Sequence, residues 1–266
     1  MSMKVYAAVA RGIKAPEDKC DDRILVGDRV IEDGYIELTL DEKDTVLAVA
    51  DGVGGSPCGY VAAQMALEEL AKLHQSGEMR PEAIAKRVEQ VNELVLRAGQ
   101  ENMQYAGMAT TLSLLRFFDG KATCLHVGDT RVYQKKNVQG MKVFSQLTTD
   151  QNQMQMWLES GEAEDRGLTE EDLKHIRGWA SIISWMGMEP FAFSERLKIK
   201  SEIVPQGMFV LTSDGIHDYI DKNEMRKILE EDISYEDKIA RLMERARENG
   251  SRDDQSIIVA CLGQEE

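Results

Sequence analysis

The run Thr45-Val46-Leu47-Ala48-Val49-Ala50-Asp51-Gly52-Val53-Gly54-Gly55 governs the reading of this chain. Its apolar, partly β-branched half reads as a buried strand. The strand ends on a carboxylate, and the glycines after it let backbone groups approach a metal or phosphate closely. An Asp-Gly pair is also a common turn dipeptide, so the motif alone decides little. Recurrence decides it. Asp129 follows the apolar run Ala122–Gly128, and Asp214 follows Met208–Ser213 in the same manner. The pair Asp253-Asp254 comes immediately before the run Gln255–Leu262. Carboxylates gathered at strand ends repel one another unless hard cations neutralise them, and oxygen-only sites select Mg²⁺, Mn²⁺ or Ca²⁺. A carboxylate-held metal centre is therefore expected.

Composition narrows the partners. A net charge of −15 disfavours nucleic acid or an anionic membrane as the main partner. No apolar run is long enough to span a bilayer, and the N-terminal stretch lacks a secretory pattern. Cys20, Cys58, Cys124 and Cys261 form no CxxC pair, which fits reduced thiols in a cytoplasmic protein better than a zinc site. Nothing in the sequence demands more than a monomer.

Outward from Asp51, the first third of the chain reads as strands. Lys4–Ala10 reads as one, and the runs 23–30 and 35–40 flank Glu32-Asp33-Gly34, a hairpin-turn signal. Two helices follow Asp51, over about residues 59–73 and from Pro81, whose missing N–H is harmless at a helix start. Residues 108–147 read as a meander turning at Asp119-Gly120 and Gly140, and residues 150–189 as a polar, helical segment. Strand character returns in the runs 197–204 and 208–213, two helices occupy about 222–231 and 234–248, and the run Ser256–Leu262 reads as the last strand. Many antiparallel strands with paired helices give an α+β layered sandwich, and the lack of a Pro- or Ser-rich linker makes residues 1–266 a single domain.

The motifs also come in a definite order. Asp21-Asp22, Asp51–Gly55, Gly107–Thr111, Val127–Arg131, Leu147–Asp150, Ser213–Gly215 and Arg252–Asp254 span nearly the whole chain. In that order they resemble the metal-dependent Ser/Thr protein phosphatases of the type 2C class, in their compact bacterial form. The resemblance implies a four-layer α-β-β-α sandwich, two antiparallel sheets flanked by helix pairs. It implies two Mn²⁺ or Mg²⁺ ions bridged by Asp51, with Asp214 and Asp253 completing one site and the Gly52 carbonyl serving the other. Asp21 and Asp22 would support the ions directly or through water, and Asp129 and Asp218 match a third, weaker position. The segment 151–188 matches a variable flap beside the site. A hydroxide bridging the two ions would then attack a phosphoserine or phosphothreonine of a protein substrate, one made by a Ser/Thr kinase.

Departures from the pattern concern phosphate binding. Glu17 stands where an Arg is common, and Lys19 is the nearest replacement, a point charge without the guanidinium fork. That keeps open a catalytically weak, phosphoprotein-binding regulatory module of the same fold; a structural Ca²⁺-binding domain is a further alternative. His217, between Asp214 and Asp218, is expected to pack or hydrogen-bond beside the site, with general acid as the sharper alternative.

Overall fold

Alternation along β1 (Ser2–Ala10) sorts its side chains between two cores. Met3, Val5, Ala7 and Val9 pack against a second sheet, whereas Tyr6 and Ala8 pack against helices. This holds in a computed structural model that describes residues 2–13, 19–56, 58–78 and 80–263. Each of its two sheets has six antiparallel strands.

The first sheet runs β4 (Gly34–Asp41), β1, β12 (Gln255–Leu262), β11 (Gly207–Thr212), β8 (Arg131–Val138), β9 (Met141–Gln146). The second runs β10 (Lys198–Ile203), β7 (Lys121–Val127), β6 (Leu112–Phe118), β5 (Asp44–Asp51), β2 (Asp22–Val26), β3 (Arg29–Ile31). Between the sheets, β1 residues meet Ile24 and Val26 of β2, Leu47 and Val49 of β5, and Phe117 of β6. The opposite face of β5, carrying Val46, Ala48 and Ala50, packs under α1 (Gly59–Ala71) and α2 (Pro81–Glu101). The outer face of the first sheet packs under α8 (Lys222–Leu229) and α9 (Tyr235–Glu248). Helix, sheet, sheet, helix is the expected four-layer sandwich.

Two local readings need correction. Glu32-Asp33-Gly34 is not a hairpin turn: the hairpin is β2–β3, closed at Gly27-Asp28, and the chain then crosses to the other sheet, where β4 pairs with β1. A Gly-containing turn signal marks a reversal but not the strand that follows as partner. The expected meander is likewise two hairpins, β6–β7 and β8–β9, in different sheets, and the crossing falls at Gly128-Asp129-Thr130. Gly128 has φ 100°, and a Cβ there would lie 2.7 Å from Cβ of Thr111, so this crossing needs glycine.

The polar segment forms α3 (Gln153–Glu159), α4 (Glu162–Asp165) and α5 (Glu170–Leu173) around a small cluster of Met154, Ala163 and Leu173 backed by Trp157 and Trp179. It returns to the body through the bridges Asn152–Ile182 and Thr110–Met186. Next comes α6 (Pro190–Arg196), unforeseen because its Phe-rich sequence favours strand; it places Phe193 in the core beneath α2.

A carboxylate cleft at one end of the sandwich

Every strand-end acid emerges where the chain leaves or enters a sheet at the same end of the sandwich. Asp51 closes β5, Asp129 sits in the crossing from β7 to β8, Asp214 opens α7 (Asp214–His217), and Asp253 precedes β12. Together with Asp21, these line one cleft of about 220 Å³. Gly52, Thr111 and Asp254 complete its walls, and Ser181 and Ile182 of the returning flap close one side.

Backbone contacts hold Asp51 in place. Its N–H donates to the Thr111 hydroxyl at 3.0 Å, and its carbonyl accepts from the Thr111 N–H at 2.8 Å and the Thr110 hydroxyl at 2.9 Å. The next residue must be glycine for a spatial reason: a Cβ on Gly52 would lie 2.4 Å from the Gly59 carbonyl carbon, at the start of α1. Close approach of these two backbones brings the first turn of α1 to the cleft. Its N-cap, Cys58, supplies no side-chain cap. Instead Oδ1 of Asp21 accepts the Tyr60 N–H at 2.9 Å, a cap delivered from a distant segment.

Asp22 lies beneath the cleft rather than in its lining. It pairs with Asp51 across β2 and β5 and is 1% exposed. The Ser213 hydroxyl donates to its Oδ2 at 2.6 Å, while Oδ1 is buried without a hydrogen-bond partner. Asp254, which the sequence singled out only as half of a pair, is 7% exposed and accepts two backbone N–H groups, from Gly12 at 2.7 Å and from Asp21 at 2.6 Å.

Burial and mutual repulsion dominate the electrostatics. Burial pushes Asp51 and Asp129 well above the usual carboxylate range; Asp22, Asp214, Asp129 and Asp253 raise Asp51 further, and Asp214, Asp150 and Asp218 do so for Asp129. Burial lifts Asp22 to about 8, with Asp254 and Asp214 adding to the rise and the Ser213 hydroxyl opposing it. Asp21 is raised by burial, against the Tyr60 N–H. Such a cluster calls for positive charge.

Does the donor set suit divalent cations? Carboxylate and backbone oxygens line the cleft, without a His or Cys among the described lining residues, so hard cations such as Mg²⁺ and Mn²⁺ suit it. Among the described residues, no group of three or more His, Cys, Asp or Glu is already arranged to hold a metal ion. The fit lies in the chemistry of the donors, oxygen ligands for an ion that keeps several waters. The residues present fit the implied ions.

The remaining expected residues lie outside this cleft. Asp218 lines a neighbouring cavity of about 490 Å³ with Arg131, Asp150 and Lys174. Burial and Asp214 raise it to about 7, against the pull of Arg131 at 4.0 Å. Arg131 itself is held by Asp150, with Nε 2.9 Å from Oδ1. Lys19 does not line the cleft; its Nζ donates to the Tyr60 hydroxyl at 3.3 Å. Glu17 falls outside the described residues. His217 is buried, with Nδ1 2.9 Å from the Thr212 hydroxyl and Nε2 without a partner, and burial holds it well below the usual imidazole range. It hydrogen-bonds beside the site, as expected.

Known proteins resemble this chain in sequence and in fold. A family profile described as "Protein phosphatase 2C" matches residues 28–257. Protein phosphatase PhpP of Streptococcus pneumoniae is 26% identical over 237 residues, covering 84% of this chain and 87% of the relative. The Mycobacterium tuberculosis serine/threonine phosphatase PstP/Ppp superposes with a TM-score of 0.78 at 22% identity, covering 99% of this chain and 100% of the other. A PstP catalytic domain solved in complex with two manganese ions gives 0.72 at 21% identity, covering 99% and 100%. With the family profile matched over most of its length, the chain belongs to the protein phosphatase 2C family and is, by class, a protein phosphatase.

Proposed function

We propose that this cleft hydrolyses phosphoserine and phosphothreonine in protein substrates, using two divalent cations held over Asp51. The observation that carries the reading is the convergence of Asp21, Asp51, Asp129, Asp214 and Asp253, from five separate segments, on one cleft. Asp51 would bridge the ions, Asp214 and Asp253 would complete one site, and the Gly52 carbonyl would serve the other. Asp129 and Asp218 would hold a weaker third. Bound Mn²⁺ or Mg²⁺ supplies a nucleophilic hydroxide near neutral pH and offsets phosphoryl charge. The protein's part is positioning. Thr110 and Thr111 fix the Asp51 backbone, Asp254 holds Asp21 in place, and Ser181 and Ile182 wall one side of the cleft. Among the described residues no Cys or His lines the cleft, which fits a reaction that uses neither a thiol nucleophile nor an imidazole base.

The reading takes the chain as one phosphatase domain, working as a monomer in the cytoplasm and reversing a Ser/Thr kinase. Free cysteines and the lack, among the described residues, of a helix long and apolar enough to cross a membrane support that placement. A site decayed to a binding module would be expected to lose one of its metal carboxylates, and Asp21, Asp51, Asp214 and Asp253 are all retained. The test is phosphate release from a phosphothreonine peptide with Mn²⁺, with Ca²⁺ and with chelator. Turnover with Mn²⁺ and little with Ca²⁺ supports the reading; equal rates with Mn²⁺ and chelator contradict it.

A further inference from the structure

A second and larger cavity, about 740 Å³, opens between α3 and β10. β10 is the end strand of its sheet, so its outer backbone edge has no strand partner. Three cations stand along this wall, Arg196, Lys198 and Lys200, all exposed. Register explains why the lysines share a face: Lys198 pairs with His126 and Lys200 with Cys124, and both of those β7 residues line the same cavity. Among the described residues none of the three cations is in a salt bridge, whereas Glu202 further along β10 is paired with Lys121 at 2.6 Å.

Acids in the groove do not cancel this charge. Asp150 is held by Arg131 and also accepts from the Gln146 amide at 3.0 Å, which leaves Glu159 of α3 as the opposing carboxylate. The groove is thus a cationic strip on a chain whose net charge is −15. Met156 of α3, 41% exposed, adds apolar surface across from the lysines, while Ile199 between them points to the other face of β10. A strand edge without a strand partner among the described residues and a row of cations facing Met156 suit an extended acidic segment.

The groove is tied to the carboxylate cleft through one side chain. The Gln151 amide donates to the Arg196 carbonyl at 2.7 Å, on the groove rim, and its Oε1 accepts the Gly128 N–H at 3.0 Å, one residue before Asp129. The Ile183 N–H donates to the Gln151 carbonyl at 2.8 Å; Ile183 lines the groove and its neighbour Ile182 lines the cleft. A polypeptide reaching from cleft to groove therefore has only the width of this flap segment to cross.

We propose that the groove between α3 and β10 docks an acidic segment flanking the phosphorylated residue of the substrate protein. This rests on the phosphatase reading above and names a substrate class for it. Substrates with runs of Asp or Glu near the phosphoresidue are favoured over those with neutral flanks.

The test compares wild type with K198E/K200E on three Mn²⁺-supported reactions. Two use phosphothreonine peptides, one acidic and one neutral in its flank, and the third uses p-nitrophenyl phosphate, which cannot span to the groove. Wild type is expected to favour the acidic peptide, and the variant to raise its KM roughly tenfold, as the reversal of two exposed charges allows. The neutral peptide and p-nitrophenyl phosphate should change less than about twofold, and added salt should erase the wild-type preference. Equal kcat/KM for both peptides in wild type, or an equal loss on all three substrates, overturns the docking site. If no substrate turns over, the phosphatase reading fails, and anisotropy of a labelled acidic peptide decides the groove separately. Binding lost in the variant upholds it, and no binding to wild type overturns it.

Discussion

The carboxylate of Asp254 accepts the main-chain N–H of Asp21 at 2.6 Å, joining residues 233 positions apart. Its other oxygen takes the Gly12 N–H at 2.7 Å. The second acid of the Asp253-Asp254 pair is thus the clasp that ties Gly12 and Asp21 together beside the cleft. Charge-assisted bonds to buried N–H groups are worth more than neutral ones. Asp254→Ala should destabilise the protein by about 3 kcal/mol, measured by urea unfolding. It should also weaken Mn²⁺ binding, read by calorimetric titration, because Asp21 loses its anchor.

Packing at Gly215 makes a sharper prediction. A Cβ there would lie 1.9 Å from the Asp254 carbonyl oxygen, a backbone atom that no rotamer change can move aside. Gly215→Ala should cost about 3 kcal/mol through forced overpacking. Asp214 is the adjacent residue, so phosphatase activity should fall further than the fraction unfolded accounts for. A thermal melt beside an activity assay separates the two effects.

Without divalent cations, stability should fall as pH rises. Unfolded carboxyls ionise near ~4, whereas Asp22 folded holds its proton to about 8 and Asp218 to about 7. Between those limits the folded state binds more protons than the unfolded, so each retained proton removes ~1.4 kcal/mol per pH unit of rise. The urea midpoint in chelator should drop from about pH 5 to about pH 8, and Mn²⁺ should raise it most at the alkaline end. A midpoint that rises with pH in chelator would contradict the buried, mutually repelling cluster.

His217 makes little contribution beyond packing. Its Nε2 lies 4.0 Å from the Asp218 carboxylate, and among the described residues the one hydrogen bond of its ring is to Thr212. His217→Phe should keep kcat/KM within about tenfold and leave the pH profile in place, since no proton-transfer contribution of 10²–10⁴ is removed. Loss of a pH-dependent limb in this variant would make His217 an acid–base group instead.

Much of this was legible in the sequence, for a definite reason. β5 and β11 are buried on both faces, so each reads as an unbroken apolar run whose end is marked by the acid that follows. What stayed hidden depends on where the chain goes next. Glu32-Asp33-Gly34 has hairpin chemistry yet links two sheets, because pairing with β1 is decided by a face of Ile36, Leu38 and Leu40 that covers the inter-sheet core. Asp22 and Asp21 are adjacent, but strand geometry sends one beneath the cleft and the other into its lining. Nothing local distinguishes them. Lys198 and Lys200 carry no signal of their own in the sequence, and only the place of β10 at the end of its sheet beside α3 brings them together.

The proposed role of Asp214 and its neighbours as a metal-dependent phosphatase centre can be read from phosphate release from a phosphothreonine peptide, with and without Mn²⁺, for wild type beside Asp214→Asn. Turnover should require Mn²⁺ and fall at least about 100-fold in the variant, since even groups that only orient a metal ligand cost 10–100-fold. Equal rates for the two proteins, with Mn²⁺ demonstrably bound to wild type, would contradict that role.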